Sequence, residues 1–198
     1  AMQHGRARLL RSGLTLALVG AALAGCFRSQ TALITKDRVV FPLPQNGVYA
    51  SFNRVPPDDP SGATAAPSKP EVLQQYGTST ITYDAFKQVY VINEPGQTTE
   101  FVMAEIGPST YLLQTPDENG GFDYGLAVLK GPMALFYRFG AACTDATDSA
   151  LAQNRLSLRV DNKSHRVDCF ASDFDGLKDA VLAEYRAHPE PDASYILQ

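Results

Sequence analysis

Few side chains in this chain could do chemistry. There are three cysteines: Cys26 ends the run Leu23-Ala24-Gly25-Cys26, and Cys143 and Cys169 lie in the last third. His165 sits among Lys163, Ser164 and Arg166 and reads as a solvated turn residue. His188 precedes Pro189 at the end of a helical pattern, where a partial positive charge suits the helix dipole. Ser172, with Asp175 three residues on, resembles a capping box, and Asp173 and Asp175 then fall in a first helical turn that favours acids. A helix start therefore explains these three better than a nucleophile or a carboxylate pair. Asp117, Asn119 and Asp123 in DENGGFD are oxygen ligands at spacings that could touch Ca²⁺. A full calcium loop needs further ligands and a closing bidentate carboxylate, and a Gly-rich hairpin turn accounts for the same residues. The chain has no Gly-x-Ser-x-Gly elbow, His-Glu-x-x-His motif, P-loop or Cys-x-x-Cys. The expectation is a non-catalytic protein with no metal and no cofactor.

The chemistry that remains belongs to the cysteines. Arg6, Arg8 and Arg11 precede an apolar or small-residue run, Leu14–Gly25. That run is shorter than the roughly 20 residues a membrane helix needs, so residues 1–25 read as a signal peptide. Leu23-Ala24-Gly25-Cys26 resembles the lipobox of bacterial lipoproteins: an aliphatic residue, two small residues, then cysteine. The resemblance implies that the Cys26 thiol takes a diacylglyceryl group, that a peptidase cuts before it, and that the new amine is acylated. Two or three acyl chains give a stable anchor where one is marginal. Phe27 follows in place of the aspartate that retains such proteins at the inner membrane. The resemblance therefore implies an outer-membrane anchor facing the periplasm.

From Cys26 onward there are 14 Lys and Arg against 21 Asp and Glu, a net charge of −7. A moderately acidic domain is a poor candidate for binding nucleic acid or anionic headgroups, and no nucleic-acid partner is expected. Membrane contact is then assigned to the lipid. With Cys26 lipidated, Cys143 and Cys169 form an even pair in an oxidising compartment and are expected to be a disulfide. Closing a loop of about 27 residues contributes about 3.5 kcal/mol in the chain-entropy account.

The elements that must carry these residues are mostly strands. Residues 26–38 are expected to be a tether and residues 39–198 a single β-rich domain. Residues 55–70 carry five prolines and form a loop within it. Strands are predicted at 39–41, 48–53, 79–83, 88–93, 98–106, 110–114, 122–130 and 133–138. Turn residues such as Asn46-Gly47, Pro95-Gly96, Gly107-Pro108, Asn119-Gly120 and Gly131-Pro132 separate them. Phe122, Tyr124, Leu126 and Val128 alternate as on a half-buried strand. A short helix is expected from Thr144 to Gln153, a hairpin from strands 156–160 and 166–170, and an amphipathic helix from Ser172 to Pro189. The tail from Pro189 reads as a loop whose Tyr195, Ile196 and Leu197 dock on the body. Strand tyrosines such as Tyr49, Tyr90 and Tyr124 suit core and rim packing.

The fold class is thus mainly β (α+β): an antiparallel meander forming a barrel or bent sheet, with a C-terminal helix. The function expected is that of a lipid-anchored envelope lipoprotein that binds a protein partner or supports a complex. One alternative is a lipocalin-like carrier of an apolar small molecule. Another is a cell-wall hydrolase or an inhibitor of one.

Overall fold

The computed structural model describes residues 27–54, 73–118, 120–139, 147–160 and 167–198. In chain order the first strands are β1 (Phe27–Ser29), β2 (Val39–Val40), β3 (Asn46–Arg54), β4 (Leu73–Asp84), β5 (Val89–Glu94) and β6 (Gln97–Gly107). Then come β7 (Thr110–Pro116), β8 (Phe122–Lys130), β9 (Met133–Tyr137), α1 (Asp148–Ala152), β10 (Leu156–Val160), β11 (Val167–Ala171), α2 (Phe174–Ala187) and β12 (Ala193–Leu197).

Eight of these strands close an antiparallel barrel in the order β3-β4-β5-β6-β7-β8-β9-β12, with β12 returning to β3. Two-residue alternation fills the interior. Tyr49, Ile81, Tyr90, Ile92, Phe101, Met103, Leu113, Phe136 and Tyr195 point inward and are each at most 2 % exposed. A run of ring contacts leads from Phe41 through Tyr83, Tyr90, Phe101 and Phe136 to Tyr195, with centroids 4.4–6.5 Å apart. The segment between β2 and β3 is pinned across one end of the barrel. There the Tyr90 hydroxyl accepts from the Leu43 N–H at 2.9 Å and donates to the Leu43 carbonyl at 2.7 Å.

A second core lies outside the barrel. The outward residues Leu112, Tyr124, Leu126, Val128 and Tyr137 pack against Leu177, Ala180 and Val181 of α2 and against Phe27, Leu156 and Cys169 of a three-strand extension. That extension, β1-β11-β10, branches from β8. One edge of β8 is shared. Its Phe122–Tyr124 part pairs with β1 and its Leu126–Lys130 part pairs with β9. Gly125 sits at the fork, where a Cβ would lie 3.0 Å from the Tyr137 carbonyl oxygen. The absence of a side chain lets β9 close on the barrel at that point.

Several expectations change. Strand β8 is not half-buried: Asp123 through Val128 are all buried, because both faces are covered. The tail is not a loop, since β12 pairs with β3 on one side and β9 on the other and completes the barrel. The cap of α2 is Asp173, one residue later than Ser172. Its carboxylate accepts from the Gly176 N–H at 2.7 Å, while the Ser172 hydroxyl donates to the Arg155 carbonyl. Residues 27–38 are not a tether. Phe27–Ser29 are a strand, Ile34 is buried, and Arg38 lies over the Phe174 ring at 4.3 Å. The signal peptide, Cys26, the Pro-rich loop, Asn119, Cys143, Thr144 and His165 lie outside the described residues. The mainly-β class, the antiparallel meander, the barrel and the C-terminal helix stand as expected.

Candidate functional site

Among the described residues, charged side chains converge most closely at the start of the first strand. β1 is three residues long but paired on both sides: parallel to β11 with Phe27 opposite Cys169, and antiparallel to β8 with Phe27 opposite Tyr124. Alternation sends Phe27 and Arg28 to opposite faces. Phe27 enters the outer core at 1 % exposure, in edge-on contact with Phe139. Arg28 meets three carboxylates. Its Nε lies 2.8 Å from Asp123 Oδ1, one terminal nitrogen 2.5 Å from Asp117 Oδ2, and the other 3.1 Å from Asp168 Oδ2. Every nitrogen of the planar fork is thus engaged, which a lysine could not match.

Burial disfavours the guanidinium charge, but Asp123 and Asp117 outweigh it and raise the Arg28 pKa. The group stays cationic at any ordinary pH. Asp117 and Asp123 are two of the oxygen ligands whose spacing could touch Ca²⁺. Asp117 and Asp123 do converge, but the cation between them is Arg28. Among the described residues no cluster of three His, Cys, Asp or Glu groups could hold a metal ion.

The chain after β1 is fastened too. The Tyr124 hydroxyl lies 2.8 Å from Ser29 Oγ, accepts from the Leu33 N–H and donates to Gln114 Oε1, which itself accepts from the Ile34 N–H at 2.8 Å. Burial pushes the Tyr124 phenol pKa up, with the Ser29 contact opposing. At Gly121 a Cβ would lie 2.7 Å from the Ser29 carbonyl, so the β7–β8 turn closes directly over the end of β1.

No family model matches this chain, and no curated protein and no solved structure matches it.

The other sequence candidates are spread apart. Cys169 is fully buried on β11 and disulfide-bonded; its expected partner Cys143 lies outside the described residues. His188 follows α2 and lies exposed, 3.9 Å from Glu184 Oε2. Asp173 caps α2 and pairs with Arg155 at 3.0 Å, and that hydrogen bond, with the Gly176 N–H, lowers its pKa. Asp175 is exposed, with Lys178 3.9 Å away. Between α1 and α2 lies a cleft of about 310 Å³ lined by Thr147, Gln153, Arg155, Asp179 and Arg186 among others. Arg155 there is already paired with Asp173 and Asp179. Sequence reasoning missed Arg28 and Asp168. They lie 140 positions apart, and only the pairing of β1 with β11 brings them together.

Proposed function

We propose that this chain is a lipid-anchored bacterial envelope protein whose barrel binds a protein partner without catalysing a reaction. The observation that carries the binding reading over the carrier reading is the filled barrel. A carrier needs interior space for its ligand, whereas Tyr90, Phe101, Phe136 and Tyr195 occupy this axis in continuous ring contact. The anchor rests on the lipobox resemblance at Cys26, and Phe27 after it favours the outer membrane, facing the periplasm. Among the described residues no helix is long and apolar enough to cross a membrane, which is compatible with a lipid anchor.

The partner-facing end is where apolar side chains stand in water. Phe86, in the β4–β5 turn, is 99 % exposed, and Phe41 and Val48 lie exposed at the same end of the barrel. An uncovered aromatic at a hairpin tip suits the anchor of a protein interface.

The test is a photo-crosslinking residue at position 86 in the lipidated protein, activated in native envelope. A defined protein adduct that is lost when Cys26→Ser leaves the chain unlipidated and its signal uncleaved is the expected result. A stoichiometric apolar small molecule released from the purified barrel, with no adduct, would favour the carrier instead.

A further inference from the structure

We infer that the cleft between α1 and α2 binds a small hydroxylated organic acid of monosaccharide size, with its carboxylate on Arg186 and its hydroxyls on Asp179. The cleft holds about 310 Å³, at the lower end of the range for small-molecule sites. Alanines make the hollow. Ala150 on α1 and Ala180 and Ala183 on α2 line it, and longer side chains at these positions would fill it. Ala150 and Ala180 are themselves buried and belong to the core on the outer wall of the barrel, so the floor of the cleft is fixed by the fold.

The α2 wall has two poles. Asp179 and Arg186 lie two helical turns apart, about 10 Å along the helix axis. Arg186 is exposed and makes no ion pair or hydrogen bond among the described residues. A guanidinium with its whole fork open takes a carboxylate through two parallel hydrogen bonds. Asp179, at the other pole, is held in place. Arg155 donates to Asp179 Oδ2 at 3.2 Å and to Asp173 Oδ1 at 3.0 Å. Arg155 lies hard against the first turn of α2, where a Cβ on Gly176 would come within 2.7 Å of its own Cβ. Arg155 is thus spent on positioning, and Asp179 Oδ1 is left to accept from a hydroxyl. On the α1 wall, Gln153 Nε2 lies 3.4 Å from Ser149 Oγ, a long contact that leaves an amide and a hydroxyl to serve a neutral polar group.

This pattern selects a class of ligand. Asp179 repels a simple anion, and Arg186 repels a simple cation. An apolar molecule would strip water from both charges and return no hydrogen bond. A molecule with one acid group and several hydroxyls satisfies both poles at once. The cleft is separate from the exposed apolar end at Phe86, and binding here needs neither the lipid anchor nor the protein partner proposed above.

The experiment uses the full lipidated chain in detergent micelles, with carbon-13 in its alanine methyls. Sodium glucuronate, glucose and sodium acetate are titrated separately. Glucuronate should move the methyl signals of Ala150, Ala180 and Ala183 saturably, with a Kd in the millimolar range. Glucose and acetate each satisfy one pole and should bind at least fivefold more weakly. Arg186→Gln should weaken glucuronate at least fivefold, with the methyl signals outside the cleft unmoved. Asp179→Ala should weaken glucuronate and leave acetate as it was. No saturable shift at the three methyls, acetate binding as tightly as glucuronate, or an Arg186→Gln variant that binds glucuronate like the parent would each overturn the inference.

Discussion

Arg28 shows how one residue can be decisive and still unreadable in a sequence. Asp117 and Asp123 stand out by their spacing in a Gly-rich turn, and they do share a cation. Arg28 has no such signal, because its partners come from two distant places in the chain, the Asp117–Asp123 stretch and β11. Removing it would leave three largely buried carboxylates facing one another. Arg28→Ala should therefore cost about 3 kcal/mol of stability, the scale for breaking a buried charge network from one side. Urea unfolding measures this, and a loss below about 1 kcal/mol would mean the cluster is solvated and weak. Tyr49 makes the opposite case. Its hydroxyl is buried in the barrel without a hydrogen-bond partner, and burial pushes its pKa up. Tyr49→Phe removes an unsatisfied polar group and should leave stability unchanged or raise it by up to about 1 kcal/mol. A clear loss in the same assay would show that the hydroxyl has a partner after all.

At the scale of elements, the meander from β5 to β9 is legible because each strand meets its neighbour across a turn signal. Val89–Gly107 and Thr110–Lys130 each fold as a hairpin across such a turn. The two strands read as other structure, β1 and β12, have no sequence-local partner. β1 takes its pairing from β8 and β11, and β12 from β3 and β9, all distant in sequence. Short segments whose hydrogen bonds come only from tertiary pairing carry little local pattern. Yet β12 closes the barrel. Its Tyr195 is buried against Phe136, with ring centroids 4.9 Å apart, and donates to Glu94 Oε1 at 2.8 Å. Tyr195→Ala should cost about 3–5 kcal/mol, as expected for deleting a buried aromatic side chain. In thermal unfolding it should destabilise the whole barrel in one transition. Separate melting of the C-terminal strand would contradict its role as the closing stave.

Across the described residues the molecule is a barrel packed with aromatic side chains and a second core on its outer wall, and two buried tyrosines tie the barrel to pH. Burial pushes the Tyr90 pKa up to about 12 from its ordinary 10, and burial likewise raises Tyr195, with the Glu94 charge adding to it. A phenol whose folded pKa is raised favours the fold fully below pH 10. That contribution is lost as pH rises from 10 through about 12. Urea midpoints should stay flat near pH 8–9 and fall above 10, with phenolate absorbance appearing together with unfolding. A midpoint unchanged at pH 11.5 would contradict burial of these phenols. The proposed address of this molecule is a membrane surface, with the barrel rooted at an acylated Cys26. The most direct measurement is the intact mass of the chain extracted from its own envelope in mild detergent. The account predicts loss of residues 1–25 and a diacylglyceryl-plus-acyl increment on an N-terminal Cys26. A chain that retains residues 1–25, or begins elsewhere with Cys26 unmodified or absent, would contradict it.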